Sequence, residues 1–195
     1  MTGSPAANQG DAAMHIGIFC GSRDKVPSLF RAVAREVGTL MANRGHGLVY
    51  GGGGTGLMGE VARGALAAGG SVIGVIPSFM VGREIMLKSV QDMRVVRDMA
   101  ERKGLMISLS DAFLVLPGGV GTLEELFEVW SGGSLSQHDK PVALLNASGF
   151  YDHLLRFLDR AEEESFVRPA QRKALRVATS PAAALDDLEQ ARGHA

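Results

Sequence analysis

Short, almost wholly apolar runs alternate along this chain with segments of helical periodicity, and several of the runs end in glycine. "HIGIFCG" (15–21), "GLVYGGGG" (47–54), "SVIGVIP" (71–77), "MRVVRDM" (93–99), "AFLVLPGG" (112–119) and "PVALLN" (141–146) read as strands. Helices are expected between them, over 26–45 with a stop at Gly45, 57–70, 99–110, 122–130 with fraying at "SGGS", and 149–166. The remainder adds a short helix, a strand at 175–178 and a last helix from Pro181. Strands that lack a polar face need cover on both sides. The pattern therefore predicts a doubly wound α/β fold, a parallel sheet between two helical layers. Residues 14–192 are expected to form one domain behind a disordered tail over 1–13.

Composition narrows the function classes. The 195 residues are 46% hydrophobic and 21% charged, which excludes a disordered chain. A net charge of −1 without a long basic block excludes a sequence-independent grip on nucleic acid. One cysteine, Cys20, cannot form an internal disulfide and predicts a cytoplasmic protein. No apolar run approaches the ~20 residues of a membrane span, and "MTGSPAANQGDAA" does not read as a secretory signal. The 26 glycines are clustered, which marks places where backbone approaches something closely.

"GGGGTGLMG" (51–59) satisfies G-x-G-x-x-G from Gly51 and again from Gly54, after a strand and at the start of a helix. That context suits a phosphate cradle built from Gly53, Gly54, Thr55, Gly56 and Met58; a tight strand–helix turn is the alternative. A dinucleotide site would place an acid at the end of the next strand, where the chain has "IPSFM" (76–80). The Lys-Ser/Thr pair of a P-loop is missing too. "PGGVGT" (117–122) is a second cradle of the same kind. If their strands are neighbours, the two helix starts share one phosphorylated ligand. Gly21 and Ser22, after "FC", either touch such a phosphate or start a helix.

Two charged residues break the apolar patterning. At about 100° per residue, Arg102 falls in the middle of the stripe made by Met99, Leu105, Met106 and Leu109. It either meets an anion, protein or ligand, or snorkels to water. Glu124 and Glu128 lie opposite the apolar face of the next helix, and Glu125 lies at its edge. Thr122-x-x-Glu125 has the spacing of a capping box, whereas the glycines in front of it suggest a ligand pocket. Glu84 is a loop carboxylate that either bonds a sugar hydroxyl or is solvated. His138 and Asp139 read as a turn before a strand. The histidines fall in no H-x-x-x-H or H-E-x-x-H spacing, so no metal is expected; nor is a cofactor expected. Cys20 has no histidine partner and reads as core.

In combination, "CGS" (20–22), "YGGGGTGLMG" (50–59), "GVIP" (74–77), "REI" (83–85), "MAERKGLM" (99–106), "LPGGVGTLEEL" (116–126) and "HDKP" (138–141) resemble the LOG (lonely guy) family. These are cytokinin riboside 5′-monophosphate phosphoribohydrolases, long mislabelled lysine decarboxylases. The resemblance spans about residues 14–166 and implies a Rossmann-like homodimer. Such an enzyme cleaves the N-glycosidic bond of AMP or N6-substituted AMP to free base and ribose 5-phosphate. The family's catalytic pair would fall on Arg102 and Glu125. Its substrate contacts would fall on Glu84, Lys103, Pro117, Gly118, Gly119, Val120, Gly121, Thr122 and Glu124, with Ser131 beside the site. Many members carry "TWAQLG" where this chain has "SGGSLS" (131–136), so two glycines replace larger side chains there. A pyridoxal-phosphate decarboxylase would need a Schiff-base lysine, and Lys25, Lys88, Lys103, Lys140 and Lys173 do not follow a histidine. Molybdenum-cofactor carriers have a similar fold and similar loops but would not need the Arg102–Glu125 pair.

Overall fold

The computed structural model of the chain describes residues 13–81 and 86–192. Its first four strands, β1 (His15–Phe19), β2 (Gly47–Tyr50), β3 (Val72–Pro77) and β4 (Asp92–Val96), step outward in one direction. The chain then returns to the other side of β1 and lays down β5 (Ala112–Val115), β6 (Val142–Leu145) and β7 (Leu175–Ala178). The order is β4-β3-β2-β1-β5-β6-β7, with every pairing parallel. In chain order the helices are α1 (Ser28–Asn43), α2 (Gly56–Ala67), α3 (Met99–Leu109), α4 (Val120–Ser134), α5 (Asp152–Glu163), α6 (Pro169–Ala174) and α7 (Pro181–Arg192).

Both faces of the sheet are covered, as strands without a polar side require. Ile16, Ile18 and Leu114 pack with Val37 of α1, Val61 of α2 and Leu185 of α7. On the opposite face Phe19 and Phe113 stack at 5.9 Å and pack with Met106 of α3, Leu126 of α4 and Leu158 of α5. Small residues let α1 and α2 meet backbone to backbone. A Cβ on Gly38 would fall 2.0 Å from the Val61 carbonyl, and one on Gly64 would fall 2.1 Å from that of Arg35. Gly45 closes α1 at φ +80°, as its place in the sequence predicts.

Two boundaries differ from expectation. Instead of fraying at "SGGS", α4 begins at Val120 and runs through Gly132 and Gly133 to Ser134. Each glycine weakens a helix by about 1 kcal/mol, but Leu126, Val129 and Trp130 anchor this one in the core. Gly132 also passes close to His138, where a Cβ would lie 3.2 Å from Nε2. The helix expected from 149 begins at Asp152, after a tight turn with Ser148 at φ 51° and Gly149 at φ 72°.

Candidate active site

Strands β1 and β5 are neighbours, yet their chains leave for opposite layers, β1 toward α1 and β5 toward α4. At such a switch point the connections diverge and leave a crevice at the carboxyl ends of the strands. A cavity of about 590 Å³ lies there. Cys20, Gly21, Ser22 and Arg23 line it from the end of β1, and Pro117 to Thr122, Glu124 and Glu125 from β5 and α4. Met58 of α2 and Met99 and Arg102 of α3 complete that side, while Val26, Pro27, Phe30 and Phe150 form an apolar wall. Phe150 is held there by the turn before α5: buried Asn146 accepts from the Tyr151 N–H at 2.7 Å and donates to Asp152 at 2.7 Å. The Tyr151 hydroxyl donates to the Leu116 carbonyl at 2.8 Å, and burial pushes its pKa up.

The two glycine-rich helix starts part company here. The strands before them, β2 and β5, are not neighbours, because β1 lies between them. The start of α2 is already closed within the chain. The Gly56 N–H donates to Asp24 Oδ1 at 2.9 Å, and the Leu57 and Met58 N–H groups donate to the Gly21 carbonyl at 2.9 and 3.3 Å. Gly56 has φ +58°, and a Cβ there would fall 2.5 Å from the Ser22 backbone, so this cluster serves close packing. By contrast α4 has Gly119 as its cap and no side-chain cap. Its first backbone bond runs from the Leu123 N–H to Gly119, and the Val120, Gly121 and Thr122 N–H groups meet no acceptor among the described residues. Open amides at a helix N-terminus are an anion site. Gly118 lets the loop turn tightly over the helix, since a Cβ on it would lie 2.1 Å from Thr122 Oγ1.

Arg102 is only 4% exposed and neither snorkels nor pairs with a carboxylate within 4.0 Å among the described residues. Its Nε donates to the Val75 carbonyl at 3.2 Å, its Nη2 to the Gly51 carbonyl at 2.9 Å, and its Nη1 to Met99 Sδ at 3.7 Å. The first glycine of "GGGG" exists for this arginine: a Cβ on Gly51 would fall 1.9 Å from Nη2. The guanidinium is thus buried and held by carbonyls rather than by a direct ion pair.

The capping-box reading of Glu125 fails. Thr122 is the third residue inside α4 and caps nothing, so Glu125 has no backbone N–H to satisfy. Its half-buried carboxyl faces the cavity, and burial pushes its pKa up to about 7. Arg102 and Lys103 pull it down, while Glu124 and Glu128 push it up. A carboxyl poised near neutrality beside a buried cation has the makings of an acid–base group. Burial, with Glu125 adding to it, pushes the Cys20 thiol up, so Cys20 is an inert part of the floor.

The cavity therefore unites Gly21, Ser22, Met58, Arg102, Glu124, Glu125 and residues 117–122. It leaves Gly53, Gly54, Thr55 and Gly56 behind α2's closed start, and Lys103 and Ser131 outside its lining. Lys103 bonds Glu124 and, at 2.9 Å, Glu128; Ser131 donates to the Glu128 carbonyl at 3.2 Å. Glu84 lies outside the described residues. Sequence reasoning missed Arg23, Asp24, Phe30 and Phe150. Only Phe150 left a signal, the Ser-Gly turn in front of it. His138 stands in the turn before β6, its ring 5.7 Å from Phe113, with its pKa lowered by burial. No metal-binding cluster of His, Cys, Asp and Glu occurs among the described residues, and no helix there is long and apolar enough to cross a membrane.

The chain is similar to known proteins over most of its length. A family model described as "possible lysine decarboxylase" matches residues 58–188, although no lysine lines the cavity among the described residues. Over 173 residues the chain is 45% identical to a probable cytokinin riboside 5′-monophosphate phosphoribohydrolase, LOGL2, of Oryza sativa subsp. japonica, covering 89% of this chain and 71% of that protein. It is also 45% identical over 174 residues to the cytokinin riboside 5′-monophosphate phosphoribohydrolase LOG1 of Arabidopsis thaliana, with 89% and 82% covered. The molybdenum cofactor carrier protein of Chlamydomonas reinhardtii shares the fold, with a TM-score of 0.72 at 24% identity, over 93% of this chain and 99% of that one. With that sequence match over most of its length, the chain belongs to the LOG family of cytokinin riboside 5′-monophosphate phosphoribohydrolases.

Proposed function

We propose that this protein hydrolyses the N-glycosidic bond of AMP and of N6-substituted AMP, giving the free base and ribose 5-phosphate. The observation that carries the reading is one cavity holding the open amides of α4, a buried guanidinium without a direct ion pair and a carboxyl freed from capping. Its volume suits a ligand of nucleotide size. The identity to phosphoribohydrolases supports the same reading.

In this reading the phosphate rests on the N–H groups of Val120, Gly121 and Thr122, where the helix dipole favours negative charge. Ser22 and Arg23 approach it from the end of β1. The ribose then lies toward Glu125, one turn along α4. As the C1′–N9 bond breaks, its electron pair leaves with the base and the sugar becomes oxocarbenium-like. The Glu125 carboxylate stabilises that charge and takes a proton from the water that adds to C1′. The proton passes to the departing base, so one water is consumed per bond cleaved. Arg102, fixed by carbonyls, supplies positive charge to the anionic substrate without reorganising. A cytoplasmic homodimer completes the reading, with exposed Phe127, Leu135 and Phe166 as apolar surface for a second copy.

Incubation with AMP followed by chromatography tests this directly. Free adenine and ribose 5-phosphate are expected in equal amounts. Stoichiometric AMP binding without base release would instead mark a carrier. A panel of AMP, isopentenyl-AMP, GMP and CMP reads the base preference that "SGGSLS" leaves open; the two adenine nucleotides are expected to be cleaved.

A further inference from the structure

Three carboxylates, Glu124, Glu125 and Glu128, crowd the first turns of α4, and two consecutive cations, Arg102 and Lys103, face them from α3. Glu124 and Glu128 stand four residues apart, a spacing at which like charges repel. Lys103 sits between them, its side chain 17% exposed, bonded to Glu124 and 2.9 Å from Glu128 Oε2. Arg102 cannot do this work, because its nitrogens are engaged by Val75, Gly51 and Met99.

We infer that Lys103 is a positioning residue, holding Glu124 and Glu128 of α4 against α3 so that Glu125 faces the cavity relieved of its acidic neighbours' charge. This rests on Glu125 being the acid–base group of the proposed reaction. It differs from the substrate contact implied by family resemblance, since the ammonium is occupied within the chain. The charged groups that act on Glu125 are Arg102 and Lys103 of α3 and Glu124 and Glu128 of α4, with the neutral Cys20 thiol also close. Removing Lys103 leaves two bare negative charges beside Glu125 and favours its protonated form.

The test is the pH dependence of kcat/KM for AMP in Lys103→Met. The rising limb is expected to move up by about 0.5–1 unit, about a two- to fivefold loss at pH 7 that is recovered in alkali. Lys103→Arg should restore the limb, and adding Glu128→Gln to Lys103→Met should move it part of the way back. A raised KM with an unmoved limb would make Lys103 a substrate contact and overturn the inference. A uniform loss at every pH would do the same, leaving a purely structural role. Carbon NMR of glutamate-labelled protein, with the Glu125 signal assigned through Glu125→Gln, follows the same titration without catalysis. Failure of the inference and failure of the enzymatic reading are thereby separated: an unshifted Glu125 signal in Lys103→Met sinks the former, and absence of base release from the wild type sinks the latter.

Discussion

The starts of α2 and α4 carry closely similar glycine-rich sequences at the same edge of one sheet, and by pattern each is a phosphate cradle. At α2 the amides are spent on Asp24 and the Gly21 carbonyl, and the glycines admit the Ser22 backbone and the Arg102 guanidinium. At α4 the first amides are open and a carboxyl waits one turn further on. Glycine at a helix mouth therefore records close approach but not what approaches. The approaching group is backbone in one case and, in our reading, a ligand in the other. The first site still contributes to the second, because Gly51 makes room for the arginine that charges the cavity.

The largest effect that could break this contrast is at Glu125. Glu125→Gln is expected to lower base release by on the order of 10²–10⁴, measured as kcat/KM for AMP in folded protein. The same substitution has a second, opposite readout. Because the folded protein holds the Glu125 proton more tightly than the unfolded chain, the stabilisation is present below the ordinary value of 4.5 and is lost as pH rises through about 7. Glu125→Gln should therefore stabilise the fold by about 1–3 kcal/mol near pH 8 and by little near pH 4, read from thermal unfolding. For the enzyme, kcat/KM should rise with pH with an inflection near pH 7, as the ionised form takes over.

Next comes Gly51→Ala, which tests the link between the two regions. The new Cβ would displace Arg102, and turnover should fall by about 10² although residue 51 does not line the cavity. Activity close to wild type would mean that the guanidinium is not needed where it stands. Val120→Pro then removes one open amide from α4 at a position where a helix accepts proline, and Gly119 before it is already extended. KM for AMP should rise about tenfold, with stability changed by less than about 0.5 kcal/mol. The smallest effect is the matching change at the other helix. Asp24→Ala should cost about 1 kcal/mol of stability, by chemical denaturation, and raise KM less than Val120→Pro does. If Asp24→Ala instead gave the larger rise in KM, the roles assigned to the two helix starts would be reversed.

Much of the architecture was legible because it depends on local periodicity. Strands with no polar face, helices between them, the Gly45 stop and the strand at 175–178 all follow from short-range patterns. Arg102 stood out for the same reason, as a charge in the middle of an apolar stripe, and Glu125 as a carboxyl at the edge of one behind a glycine cluster. The extent of α4 through "SGGS" was not legible, because core packing of Trp130 and its neighbours outweighs the helix propensity of two glycines. Nor was the role of Phe150, whose place over the cavity depends on a turn locked by Asn146.

The sequence by itself determined the class of fold and singled out Arg102 and Glu125, on which our reading of the chemistry turns, since hydrophobic period and misplaced charge are properties of neighbouring positions. The tertiary structure alone decided which glycine loop is open, that β1 separates β2 from β5, and that Glu125 is not a cap. Those outcomes depend on which distant groups reach a backbone amide first, and a one-dimensional pattern does not encode the competition between Asp24 and a ligand for the same kind of N–H.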